Sequence, residues 1–174
     1  DGLAAGVCLI AAAFFAYHSW RLQQTTVPLF PLALAGALLG FLPFNFSPAR
    51  VFLGSAGAYF LGYQMATLSI LAPAKLSTAL LVLAVPIIDV AWQAISRMRQ
   101  GRHPMTGDRG HLHFRLADSG LPTPRIVLGY YGVALVFGLA AVLAASPLVK
   151  LALLAALAVG VLALLLRLSA ESHR

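Results

Sequence analysis

Apolar positions in this chain come in runs far longer than the one-sided stripe of a surface helix. No Asp, Glu, Lys or Arg occurs within 2–20, 22–49, 51–74, 126–149 or 151–166. A helix crosses a bilayer with ~20 apolar residues, range ~17–25, and these gaps meet that length. The pattern predicts six helices, over about Leu3–Trp20, Val27–Leu42, Ala56–Leu71, Ser77–Met98, Arg125–Ala145 and Leu148–Leu168. Trp20 and Arg21 mark one helix end with an aromatic and a cation suited to the headgroup zone. Pro28 and Pro31 fall in a first turn, where a missing N–H costs little. Ser77 reads as an N-cap, and Ser146-Pro147 breaks the last hairpin.

Two polar intervals interrupt this body, at 43–55 and 97–125. The second holds eight of the 17 charged residues and three of the five histidines. Its centre is Gly107-Asp108-Arg109-Gly110-His111-Leu112-His113-Phe114-Arg115. Six crossings place both intervals and both ends on one side. That side carries nine of the twelve cations, against Arg21, Lys75 and Lys150 on the other. The positive-inside rule makes the richer face cytoplasmic.

Composition sharpens the class. Hydrophobic residues make up 60% and charged ones 10%, far from the roughly 25% charged of a soluble domain. With no repeat of fixed period and no low-complexity linker, the reading is one all-α, polytopic membrane domain over 1–174. A net charge of +7 is explained by loop arginines at a membrane surface, so no nucleic-acid partner is inferred. Cys8 stands alone, which excludes a disulfide framework. The chain starts at Asp1 with no charged n-region and no cleavage site, and reads as a piece of something longer.

Chemistry must use the few polar groups. Asp89 is the one acid inside a predicted crossing, and Asp89, Gln93 and Arg97 repeat at i, i+4, i+8 as a stripe leading to the basic interval. An intramembrane carboxylate usually faces a cavity or a partner, and an interhelical hydrogen bond serves as well as a functional role. His111 and His113 share a side if the segment is extended and part if it is helical. His-x-His could begin a zinc site, but no third or fourth ligand stands at a recognisable spacing. An anion site fits the residues better. Arg109 and Arg115 can grip phosphate bidentately and the histidines can donate to the same oxygens, although anionic lipid headgroups would satisfy the arginines too. In the first interval, Gly54 and Gly57 permit close backbone approach. A helix starting near Ala56 aims N–H groups at the same face, and Phe52 can stack on a base or anchor at the interface. Gly54-Ser55-Ala56-Gly57 hints at an intramembrane serine hydrolase, though its order differs from Gly-x-Ser-Gly.

Taken together, four stretches resemble the polyprenyl-phosphate N-acetylhexosamine-1-phosphate transferases. Asp1-Gly2-Leu3-Ala4-Ala5-Gly6 is similar to the end of that family's Asp-Gly-x-Asp-Gly-Leu-Ala motif. Asn45 to Gly57 is similar to its N-x-x-P-A-x-x-F-x-G-D-x-G-S loop. Pro86-Ile87-Ile88-Asp89 is similar to its P-x-x-D, and Thr106 to Leu116 to its A-D-R-G-H-L-H-H-R-L loop. The resemblance implies the C-terminal half of an enzyme moving a sugar-1-phosphate from a UDP-N-acetylhexosamine to undecaprenyl phosphate, with Mg²⁺ on the pyrophosphate and UMP released. The basic interval favours the N-acetylglucosamine branch over the pentapeptide branch. It further implies the bacterial inner membrane with lipid around it, a site on the cytoplasmic face, and an N-terminal half or partner chain to complete the fold. By the same resemblance Asp1, His111 and His113 are catalytic, Asp1 and Phe52 contact uridine, Asn45 floors the site, and Arg109 and Arg115 join the histidines on pyrophosphate or sugar. Gly54, Gly57 and Asp89 count with the substrate-binding set. Ser55 departs from the pattern: it occupies the position of the family's magnesium-binding aspartate, and Ala58 replaces a following serine. A neutral hydroxyl is a weaker ligand for a hard dication. A non-catalytic scaffold that binds polyprenyl phosphate or a nucleotide sugar is the second reading. A small-anion transporter is a third, without the inverted repeat common in transporters.

Overall fold

The computed structural model describes residues 1–71, 75–101, 103, 110–144 and 146–171, with side chains at all of these except 75 and 169–171. Its described elements are helices: α1 (Leu3–Arg21), α2 (Leu29–Asn45), α3 (Gly54–Ile70), α4 (Lys75–Val82), α5 (Ala84–Arg99), α6 (Leu112–Asp118), α7 (Thr123–Leu143) and α8 (Pro147–Glu171). The all-α membrane class therefore holds. Among the described residues, three helices, α1, α7 and α8, are long and apolar enough to cross a bilayer, and a fourth span results if α4 and α5 count as one. At 17 residues each, α2 and α3 reach about 25 Å by helical rise, short of a ~30 Å hydrocarbon core unless the bilayer thins.

The single helix expected over Ser77–Met98 is instead two, bent by 72°. Pro86 sits in the first turn of α5. It has no N–H to give the carbonyl of Val82, and its ring crowds that carbonyl, so the helix stops at Val82 and restarts at Ala84. In α2 the outcome is opposite. Pro43 lies inside the helix, which runs three residues past the expected end and so carries Asn45 on its last turn. The basic interval also differs from expectation, because α6 forms within it.

At the centre is α1, packed on α2, α3, α4 and α7. Its buried face is Ala5, Gly6, Val7, Ala11, Ala12, Phe15 and Ala16. Lipid tails are as apolar as side chains, so helices in a bilayer associate by close packing, and small residues permit it. Gly6 receives the ring of Tyr131, and Gly138 on α7 receives that of Phe14. Burial is inverted relative to a water-soluble protein. On α5 the buried residues include Asp89, Gln93 and Arg97, while Ile87, Val90, Ile95 and Met98 are exposed. Polar groups facing in and apolar ones facing out is the arrangement that lipid solvation demands.

Candidate functional site

Five helix ends meet at one end of the bundle: the starts of α1, α3 and α7, the end of α2, and α6. Between them lies a cavity of about 600 Å³ lined by Asp1, Asn45, Phe52, Gly54, His113 and Phe114, with an apolar wall that includes Leu3, Ile126 and Val127. Residues as far as 126 positions apart, Asp1 and Val127, thus share one space. Five of the residues singled out from the sequence are in its lining: Asp1, Asn45, Phe52, Gly54 and His113.

The floor is built by Asn45. Its side-chain Oδ1 accepts from Gly2 N–H at 3.0 Å and its Nδ2 donates to Val51 C=O at 2.9 Å, so one buried amide ties the start of α1 to the loop after α2. The Tyr131 hydroxyl donates to Gly2 C=O at 2.6 Å from the other side. Gly2 has φ +77 and Gly54 φ +67, a left-handed conformation that costs ~1–2 kcal/mol for residues with a Cβ. Asp1 Oδ2 accepts from Ala49 N–H at 3.5 Å. Phe52 is 73% exposed, a ring presented for contact rather than for core packing.

The other wall is held by α5. Both oxygens of buried Asp89 are engaged: Oδ1 accepts from Leu112 N–H at 2.9 Å, and Oδ2 lies 3.1 Å from His111 Nδ1. Leu112 opens α6, so Asp89 satisfies one of that helix's unpaired N–H groups from a neighbouring helix. The Gln93 amide donates to Gly110 C=O, and Arg115 Nε donates to the same carbonyl at 2.7 Å. Asp89 and Gln93 of the stripe seen in the sequence are thus the clamp that holds the start of α6 beside the cavity. His111 and His113 stack with ring centroids 5.8 Å apart, and Phe114 lies 4.2 Å from His113. Burial lowers the pKa of His113 below its usual 6.5, the neighbouring His111 lowers it further, and the opposing pull of Asp89 is smaller.

Not every expected residue reaches the cavity. Asp89, His111 and Arg115 stand one layer behind it, as orienting groups rather than lining ones. Gly57 is accounted for by packing, since an added Cβ would meet Leu53 Cδ1 at 2.7 Å. Ser55 is exposed and outside the lining, and Arg109 lies outside the described residues. Tyr131 and Ile126 were invisible to sequence reasoning, each in an apolar helix where nothing distinguishes it from a lipid-facing neighbour, and Gly6 entered only as the last residue of a motif, without its packing role.

Among the described residues, Asp1 is the one carboxylate in the lining, both oxygens of Asp89 are already engaged, and no group of three or more His, Cys, Asp or Glu could hold a metal ion. The described residues do not fit a Mg²⁺ site by themselves, because a hard cation wants several oxygen ligands.

Residues 1–73 match the family model described as glycosyl transferase family 4. A Bacillus subtilis (strain 168) protein described as a probable undecaprenyl-phosphate N-acetylglucosaminyl 1-phosphate transferase is 32% identical over 159 residues, covering 88% of this chain and 44% of that protein. A phospho-N-acetylmuramoyl-pentapeptide-transferase of Moorella thermoacetica is 37% identical over 142 residues, covering 80% and 44%. One from Staphylococcus aureus (strain JH9) is 35% identical over 141 residues, covering 80% and 43%. The chain spans less than half the length of these curated relatives.

Proposed function

The chain belongs to glycosyl transferase family 4, and on that footing we propose that its cavity holds the phosphate-rich head of a transfer between a UDP-N-acetylhexosamine and undecaprenyl phosphate. The lipid phosphate oxygen attacks the phosphorus bearing the sugar, the P–O bond to the nucleotide breaks, and UMP leaves with that oxygen. Phosphoryl transfer asks a protein mostly for positioning and charge stabilisation, which this cavity can share. Phe52 offers a ring for the uracil, and Asn45 with Gly2 fixes the floor. His113, held neutral by its surroundings, offers a nitrogen to a phosphate oxygen or its proton. The apolar wall of Leu3, Ile126 and Val127 meets the lipid tail. Arg109 and Arg115 supply positive charge from the same interval. The reading places this face on the cytoplasmic side of the bacterial inner membrane. Mg²⁺ remains part of the family expectation, and no step here passes through it.

The observation that carries this reading is the convergence of Asp1, Asn45, Phe52, Gly54 and His113 on one cavity. The test is UMP release by the full-length protein in undecaprenyl phosphate-loaded nanodiscs. His113→Ala is expected to lower kcat/KM by at least ~10-fold, about 1.4 kcal/mol of transition-state stabilisation; an unchanged value removes His113 from the reaction.

A second reading, a non-catalytic binder of the same ligands, is favoured by Ser55. Ser55→Asp separates the two. A rise in UMP release supports the transferase, whereas retained UDP-sugar binding with no turnover in either form supports the binder.

A further inference from the structure

The transfer reading leaves unused one arrangement behind the cavity wall, a buried carboxylate gripping a histidine that does not itself line the cavity. Asp89 is 4% exposed. Oδ2 faces His111 Nδ1 at 3.1 Å while Oδ1 takes the Leu112 N–H. One turn along α5, Gln93 holds Gly110 C=O, and Arg115 Nε holds it as well. Residues 110, 111 and 112 are therefore fixed at three consecutive points, which sets the ring's approach to Asp89. Turning the ring over would put a C–H against Oδ2 and forfeit the bond. A carboxylate only accepts, so a hydrogen bond between Oδ2 and His111 requires the hydrogen on Nδ1.

We propose that Asp89 is a positioning residue that fixes His111 in its Nδ1–H form, leaving Nε2 as the ring nitrogen of His111 that gains or gives a proton. The His111 side chain is 28% exposed, so the ring is reachable although its Nδ1 edge is committed. A histidine whose second nitrogen is tied to a carboxylate is held in both tautomer and orientation, the device that steadies metal-bound and catalytic imidazoles. Among the described residues, the titratable and charged neighbours include His113 and Arg115 on α6 and, on α7, Tyr130, which lies within electrostatic reach of Asp89, and His113 stacks on the His111 ring. Resting on the transfer reading, the consequence is that an anion reaching the exposed edge of His111 meets it through one defined atom.

The test is ¹⁵N spectroscopy of the histidine-labelled full-length protein in nanodiscs at mildly alkaline pH. His111 is assigned by the signals lost in His111→Gln. The expected spectrum has a protonated-type Nδ1 and a bare-type Nε2. Asp89→Asn is expected to move His111 toward the Nε2–H form, and Asp89→Glu to restore Nδ1–H. A bare Nδ1 in the unsubstituted protein overturns the proposal, as does an Asp89→Asn spectrum identical to it. Should Asp89→Asn fail to fold, the unsubstituted protein's own spectrum decides. Adding inorganic pyrophosphate distinguishes this proposal from the transfer reading. An intact Nδ1–H with no response of Nε2 upholds the tautomer lock and counts against the anion site.

Discussion

At the scale of single residues, the site depends on groups that do no chemistry. Gly6 is required because the Tyr131 ring occupies the space of its side chain, and that ring delivers the hydroxyl to Gly2. Gly6→Ala is expected to destabilise by about 1–3 kcal/mol, the cost of overpacking, and to open the cavity floor. Thermal melts in detergent would read the first effect, and loss of UDP-sugar binding the second. Nothing in the sequence marked this pair, because contact between positions 6 and 131 is a tertiary fact. His113 has a titration of definite sign. Its folded pKa lies below 6.5, so its contribution to stability is complete above the ordinary histidine value and is lost as pH falls from there through the folded value. The midpoint of unfolding should drop across that window, and His113→Gln should flatten the dependence. An identical pH profile in the variant would contradict the burial of a neutral ring.

At the scale of elements, Pro86 decides more than its neighbours do. Hydropathy alone runs Ser77–Met98 together, since sums of side-chain hydropathy ignore backbone donors. The missing N–H at Pro86 divides the segment and turns α5 by 72°, aiming Asp89, Gln93 and Arg97 inward. Pro86→Ala is expected to reduce the bend. Spin labels at Leu80 and Ile95, both partly exposed, should then lie farther apart, and an unchanged distance would assign the bend to packing. The proline in α2 was tolerated because Phe46 N–H still bonds Leu42 C=O at 2.8 Å and closes the final turn. Identical chemistry at positions 43 and 86 thus gives a continuous helix and a broken one, and periodicity does not separate the two.

At the scale of the whole molecule, the polar groups divide between two ends. One end gathers the cavity, its histidines and the clamp on α5. The other holds the His18–Thr78 pair, 3.0 Å apart and buried where α1 ends and α4 begins. Opposite ends imply opposite membrane faces, as the distribution of cations also indicates. With Cys8 replaced, a membrane-impermeant thiol reagent applied to intact cells is expected to label Gln23→Cys and to spare Ser119→Cys until the cells are permeabilised. Labelling in the reverse order would invert the proposed orientation and remove the cytoplasmic site. The relatives matched include both sugar branches at similar identity, so the preference drawn from the basic interval is a matter for substrate assay.

The sequence by itself determined the solvent. Charge-free runs of this length cannot be satisfied in water, which fixed an all-helical membrane body, the ends of α1 and α7 to within two residues, and two polar intervals between the apolar runs. Four ordered motifs then carried the family. Only the tertiary structure decided which of those polar residues face a shared cavity and which stand behind it. That His113 lines the space while His111 answers to Asp89, and that Gly57 serves Leu53 while Gly54 serves the cavity, depends on helix packing angles. In lipid those angles are set by the fit of small residues against rings, such as Gly6 against Tyr131, between positions far apart in the chain, and no local pattern encodes that fit.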